Sequence, residues 1–309
     1  MYVVVAEPEA EAYKKDLEAK FREIPIHAVT AQEDIRHHAD RMEILVTLFR
    51  VADELLKRAV NLKWIQVTTS GVNYLVSRPS LMKGVIVTSA RGIHGPAVSE
   101  MAFHLMLALN RDLPRMIRNQ DREIWERWPE RLLNQKKVGI LGIGVIGEEI
   151  ARKCKAFGMT VFGVDIVRRK LDSVDSLYGP EDLPQVAGEV DYLILVAPST
   201  PQTKKIVGGK VLERMKPMAF LINLARGELI DEEALTKALE TGAIAGAALD
   251  ALSTEPLPRE HPFWCMRNMI ITPHVGGLSD CYRDQVMPII EENLRRFLRG
   301  ERRNLINSI

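Results

Sequence analysis

Short apolar runs alternate with helical patterns along this chain, and that alternation restricts the fold more than any other feature. In the N-terminal third, apolar runs at Tyr2–Ala6, Ile44–Leu48, Leu62–Thr68 and Gly84–Thr88 are separated by helical patterns such as Val51–Val60. A helix is expected over Ala97–Asn119, followed by a Trp- and Arg-rich connection, Trp125–Arg131. A second series then starts near Lys136, with strands expected at Lys137–Leu141, Thr160–Val164, Tyr192–Val196, Ala219–Leu224, Ala245–Leu249 and Met269–Ile271. A final helix is expected over Ser279–Arg299. Strands joined through helices run parallel and need helices on both faces of the sheet. The pattern therefore predicts an α/β fold of two doubly wound parallel-sheet domains, which also suits a length of 309 residues.

Composition narrows the partners. With 42 basic and 41 acidic residues the formal net charge is +1, too even for a polyanion-binding surface, so no nucleic-acid partner is expected. The basic runs Arg295-Arg296 and Arg299 to Arg303 read as solvated faces. Three cysteines, Cys154, Cys265 and Cys281, form no CxxC pair, so neither a disulfide framework nor a metal site is indicated. No apolar run reaches membrane-spanning length, and Met1-Tyr2-Val3-Val4-Val5 lacks the form of a signal peptide. The expectation is a cytoplasmic protein with no membrane partner.

The second series opens with Val138-Gly139-Ile140-Leu141-Gly142-Ile143-Gly144-Val145-Ile146-Gly147. Gly142, Gly144 and Gly147 form GxGxxG between an apolar strand and a helix expected over Glu148 to Phe157. In that context Gly142 permits the tight turn, Gly144 lets backbone approach a pyrophosphate, and Gly147 lets helix and strand pack closely, with Val145 and Ile146 completing the loop. The helix N-terminus faces the phosphates with free N–H groups. Asp165 ends the next strand, where an acid suits the adenosine ribose. It favours NAD, while Arg168, Arg169 and Lys170 directly after it leave NADP open.

Ligands of open parallel sheets bind beyond the carboxyl ends of the strands. Three such ends carry reactive groups: Arg226 after Phe220–Leu224, Glu255 beyond Asp250, and His274 after Ile270-Ile271. Arginine offers a fork of donors for a carboxylate or a polarised carbonyl. Histidine moves protons near neutral pH, and a carboxylate beside it orients the ring and favours its protonated form. Each also has a plainer reading: Arg226 as a surface residue at a helix start, Glu255 as a loop acid, His274 as a turn cap. Of the other histidines, His94 and His261 lie in loops and are the rivals to His274. His104 is expected to pack, and His37-His38 to face solvent.

The run Leu221-Ile222-Asn223-Leu224-Ala225-Arg226-Gly227-Glu228-Leu229-Ile230-Asp231 resembles the D-isomer-specific 2-hydroxyacid dehydrogenase family. So do Gly246-Ala247-Ala248-Leu249-Asp250, Glu255-Pro256-Leu257-Pro258 and Ile271-Thr272-Pro273-His274-Val275-Gly276-Gly277. The resemblance implies a flavodoxin-like substrate domain, residues 1–95 plus 283–309, and a Rossmann NAD(P)-binding domain, residues 96–282, with the active site in the cleft between them. It implies hydride transfer between NAD(P)H and a small 2-keto or 2-hydroxy acid. Arg226 would bind carboxylate and carbonyl, His274 would serve as acid/base and Glu255 as its partner.

Pro198 and Thr203 match a loop beside the nicotinamide ribose, and Leu224, Asp250 and Gly276 are further expected cofactor contacts, Asp250 supporting the network from behind. Ser70, Gly71 and Val72, in Thr68-Thr69-Ser70-Gly71-Val72-Asn73, match the family's substrate loop, and Arg50 is expected beside them. A homodimer is implied as well, consistent with the tryptophans at 125 and 128.

The sequence departs from the family pattern at Asp250-Ala251-Leu252 and Ala197-Pro198-Ser199, which puts substrate choice in doubt more than chemistry. With the sequence ending at Ile309, the regulatory domain of long phosphoglycerate dehydrogenases is not expected, and Glu255 argues against formate oxidation. The rival readings are a phosphite-type dehydrogenase on the same frame and a dinucleotide-sensing, corepressor-like binding protein.

Overall fold

The computed structural model describes all residues except 73, 74, 76, 77, 82, 83 and 168. The chain divides into two compact units, Met1–Ile93 with Ser279–Ile309, and His94–Leu278.

The first unit runs β1 (Val3–Ala6), α1 (Ala10–Lys20), β2 (Ile26–Val29), β3 (Ile44–Thr47), α2 (Asp53–Arg58), β4 (Trp64–Val67) and β5 (Ile86–Thr88). Its sheet is parallel, in the order β2-β1-β3-β4-β5. Successive strand residues serve opposite faces. Val4, Leu45 and Ile65 pack with Leu55 and Leu56 of α2. Val3, Val5, Ile44, Val46 and Trp64 pack with Leu17 of α1 and with Val286, Ile290 and Leu294. The last three belong to the helix over Tyr282–Leu298, so the end of the chain returns to cover the first sheet.

The second unit runs α3 (Gly95–Asn110), α4 (Leu113–Asp121), β6 (Lys137–Leu141), α5 (Val145–Ala156), β7 (Thr160–Val164), β8 (Ser176–Tyr178), α6 (Leu183–Glu189), β9 (Tyr192–Leu195), α7 (Gly209–Leu212), β10 (Phe220–Asn223), α8 (Glu232–Glu240), β11 (Gly246–Leu249) and β12 (Met269–Ile271). The C-terminal helix of the first unit, Tyr282–Leu298, is α9. All seven strands are parallel, in the order β12-β11-β10-β9-β6-β7-β8. One face buries Leu141, Leu195, Leu221 and Leu249 against α6 and α8. The other buries Val138, Ile140, Ile194 and Ile222 against Leu105 and Met106 of α3 and Ile150 of α5. Burial on both faces explains the nearly continuous apolar runs that betray these strands in the sequence.

Four sequence expectations change. The single helix over Ala97–Asn119 is two helices, broken at Asp112, whose φ of 50° is left-handed. Pro114 opens α4, where its missing N–H does no harm; inside a continuous helix it would remove a bond and clash. Two strands, β2 and β8, are absent from the apolar pattern because they are short edge strands with half-buried positions. His104 is exposed rather than packed, on the outer side of α3. His38 is half-buried rather than solvated, its Nδ1 sharing a hydrogen bond with the Tyr2 hydroxyl at 2.8 Å, while His37 is exposed. No helix among the described residues is long and apolar enough to cross a membrane.

Candidate active site

In the second unit the chain builds outward from β6 through β7 and β8, then returns to β9 on the other side of β6. The reversal opens a crevice at the carboxyl ends of β6 and β9, the position where such sheets bind ligands. The glycine loop lies there. Gly142 has φ +99°, and a Cβ on it would stand 2.7 Å from the Ala197 nitrogen. A Cβ on Gly147 would stand 2.0 Å from the Gly142 carbonyl oxygen, so only glycine allows α5 to start this close to β6. Gly144 differs: a Cβ there would meet nothing within 4 Å. It is also the N-cap of α5, with no side chain capping the helix, and Val145 beside it is exposed. Open space in front of an uncapped helix N-terminus fits a dinucleotide pyrophosphate.

Asp165, at the tip of β7, braces this loop. One carboxylate oxygen accepts the Ile143 N–H at 2.6 Å and the other accepts the Val167 N–H at 2.9 Å. A carboxylate has about four acceptor positions, so acceptor capacity remains for a ribose hydroxyl. Arg169 pairs with Glu148 at 2.8 Å, and Arg168 lies outside the described residues. Beyond β9, the Thr203 hydroxyl donates to the Pro198 carbonyl at 2.7 Å and shapes the turn that leaves Pro198 exposed. The Leu224 N–H donates to the Leu195 carbonyl at 3.0 Å, extending the sheet by one rung beside the glycine loop.

Arg226, Glu255 and His274 follow β10, β11 and β12, so parallel strand direction places all three at this same edge. Asn223, fully buried, donates through Nδ2 to the Arg226 carbonyl at 3.0 Å and the Ala251 carbonyl at 3.2 Å, joining the two loops. Gly227 permits that approach: a Cβ there would be 2.0 Å from the Leu252 carbonyl carbon. The Leu252 N–H in turn donates to Glu255 at 3.0 Å. His274 Nδ1 bonds both Glu255 oxygens, at 3.0 and 2.9 Å. That leaves Nε2 as the ring nitrogen available to a ligand.

His274 adopts a left-handed φ of 54°, which aims the ring but is unfavourable for a side chain. Asp250, 3% exposed, holds the turn in that shape. It accepts the Thr272 hydroxyl at 2.6 Å, the Val275 N–H at 3.0 Å and the Gly276 N–H at 2.9 Å. Asp250 and Gly276, expected from the sequence at the cofactor, thus form the frame beneath His274. The bracing role of Asn223 went unseen because a strand-end asparagine carries no sequence signal for its partners.

The rival histidines are accounted for. His94 occupies the N-cap position of α3 and is buried; burial first, and the Arg226 charge second, depress its basicity. His261 accepts the Phe263 N–H at 3.3 Å and caps a turn. Among the described residues no cluster of three or more His, Cys, Asp or Glu could hold a metal ion.

The four expected substrate residues lie in the first unit. Ser70 and Gly71 follow β4, with Ser70 exposed and Gly71 half-buried. Val72 is buried, and its carbonyl accepts the Leu75 N–H at 2.9 Å. Arg50 is exposed after β3, and its carbonyl accepts the Gln32 amide at 2.8 Å. Asn73 lies outside the described residues.

Residues 103–276 match the family model described as D-isomer specific 2-hydroxyacid dehydrogenase, NAD binding domain, which is more than half of the chain. The chain belongs to this family. Membership makes it an NAD(P)-dependent oxidoreductase of 2-keto and 2-hydroxy acids. A solved family member from Aeromonas salmonicida subsp. salmonicida A449 is 33% identical, with a TM-score of 0.92 over 100% of this chain and 98% of that one. An NADPH-dependent glyoxylate/hydroxypyruvate reductase from Sinorhizobium meliloti, solved with NADP and sulfate, is 25% identical, with a TM-score of 0.85 over 100% of this chain and 98% of that one. The D-3-phosphoglycerate dehydrogenase of Methanocaldococcus jannaschii is 30% identical over 99% of this family member, which spans only 59% of its length.

Proposed function

We propose that the chain interconverts a small 2-keto acid and the D-2-hydroxy acid, with His274 moving the proton and Arg226 holding the substrate. The observation that carries this reading is the His274 Nδ1–Glu255 pair, at 2.9 and 3.0 Å, on the edge that also bears the glycine loop. The Arg226 guanidinium binds the carboxylate and polarises the carbonyl. His274 delivers a proton from Nε2 to the carbonyl oxygen, while Glu255 fixes the ring and stabilises its charge. The bound nicotinamide supplies the hydride. Successive backbone N–H groups of Ser70, Gly71 and Val72 receive the substrate carboxylate, as such concave turns do for anions, and Arg50 adds positive charge nearby.

NAD is the preferred cofactor in this reading. The Asp165 carboxylate disfavours a 2′-phosphate, and Arg169 is already paired with Glu148. The deciding experiment offers glyoxylate, hydroxypyruvate and pyruvate with NADH or NADPH, and phosphite with the oxidised cofactors. Keto-acid-dependent oxidation is expected, with higher kcat/KM for NADH than for NADPH. Activity on phosphite alone, or on none of these acids, defeats the substrate assignment; a preference for NADPH defeats the cofactor assignment.

The chain is proposed to act as a homodimer. Trp125 is 94% exposed, and large exposed aromatics favour burial between subunits. A recess of about 420 Å³, lined by Asn110, Trp128, Arg131, Phe220 and Met269, lies at the edge of the second sheet opposite the glycine loop. Light scattering is expected to give about twice the chain mass of 34.9 kDa. A mass of one chain at micromolar concentration rules the dimer out.

A further inference from the structure

Glu7 directly follows β1 and is 3% exposed. A carboxyl in such a place is costly unless its oxygens are hydrogen-bonded. The Thr68 hydroxyl donates to Glu7 Oε1 at 2.6 Å, and the Leu48 N–H also reaches the carboxyl. Thr68 is held from two further sides: its N–H donates to the Thr47 carbonyl at 2.9 Å, and its carbonyl accepts the Tyr282 hydroxyl at 2.5 Å. The next carbonyl, that of Thr69, accepts the Ala90 N–H at 3.0 Å. The chain therefore enters the Ser70–Val72 segment from a residue clamped by β1, β3 and α9. Through Leu48 the same carboxyl reaches the loop that ends in Arg50.

We propose that Glu7 is a positioning residue for substrate binding: its carboxyl fixes Thr68, and so sets the direction of the N–H groups of Ser70, Gly71 and Val72. The inference rests on the reading of that segment as the substrate loop. Burial pushes the Glu7 carboxyl up to about 7, with Glu9 adding to the rise and the bonds from Thr68 and Leu48 offsetting it. Tyr13 of α1 and Tyr282 of α9 face it, and burial raises both phenols well above their ordinary range. Arg283, next to Tyr282 in α9, acts on Tyr13 and pairs with Asp16 at 3.6 Å and Glu9 at 4.0 Å. Protonated or ionised, Glu7 keeps an oxygen that accepts from Thr68.

The test uses the whole enzyme and the keto acid of highest kcat/KM. Glu7→Leu is expected to raise KM about tenfold, as loss of one buried hydrogen bond does, with kcat and NADH affinity within about twofold. Glu7→Gln retains an acceptor oxygen and is expected to restore KM to within about twofold of the parent. Tyr282→Phe, which removes only the hydroxyl on the Thr68 carbonyl, is expected to raise KM about threefold; it carries the test if Glu7→Leu does not fold. Gly71→Pro, which removes a loop N–H, separates the two ideas. If Gly71→Pro raises KM but folded Glu7→Leu or Tyr282→Phe does not, the positioning role is wrong and the loop reading survives. If Gly71→Pro leaves KM unchanged, the loop reading itself is wrong. A fall in kcat at constant KM in Glu7→Leu also overturns the proposal.

Discussion

Turnover falls by about a hundredfold or more when His274 is replaced by alanine, the usual loss when a positioned general acid is removed. NADH affinity stays within about threefold, because the glycine loop is held by Asp165 and by the packing of Gly147, neither of which touches His274. The fold should not suffer. His274 occupies a left-handed backbone position, and its side chain is partly exposed and, among the described residues, bonded to Glu255 alone. Single-turnover reduction followed at the nicotinamide absorbance reads the step directly. A His274→Ala enzyme with turnover within about threefold of the parent removes histidine from the chemistry.

The second large effect is structural in origin. Gly147→Ala places a methyl where the Gly142 carbonyl oxygen already lies, at 2.0 Å, and backbone rather than a flexible side chain must give way. Overpacking of this kind costs about 1–3 kcal/mol. It also displaces the turn whose N–H groups face the phosphates, so NADH affinity is expected to drop about a hundredfold or more, with a lower melting temperature. Gly144→Ala makes a sharp contrast. Its methyl meets no protein atom within 4 Å, so melting should hardly change. NADH should nevertheless bind at least about tenfold more weakly, since the methyl occupies space the pyrophosphate needs. Titration of protein fluorescence with NADH, beside thermal melts of both variants, separates the cases. Unchanged NADH affinity in Gly147→Ala would mean that the dinucleotide does not lie on this loop.

Much of this architecture was legible before any coordinates. Strands buried on both faces have to be apolar throughout, so β1, β3, β4, β6, β7, β9, β10 and β11 announce themselves. The glycine loop is legible for a related reason: backbone contacts exclude a side chain at Gly142 and Gly147, and the sequence must supply glycine there at fixed spacing. Edge strands such as Ile26–Val29 and Ser176–Tyr178 are under no such demand and left little trace. Pro114 was visible, but the left-handed turn at Asp112 that separates α3 from α4 was not.

Residue order alone therefore determined the two parallel sheets, the dinucleotide turn and the placing of Arg226, Glu255 and His274 after three strands. Those properties follow from periodicity and from the shared direction of parallel strands. Tertiary structure alone decided which polar side chains serve as braces: Asn223 between two loops, Asp250 beneath His274, Asp165 under the glycine loop and Glu7 against Thr68. Each joins positions on separate strands or loops, some of them remote in the chain, and a hydrogen bond depends on distance and direction in space, which local sequence does not encode.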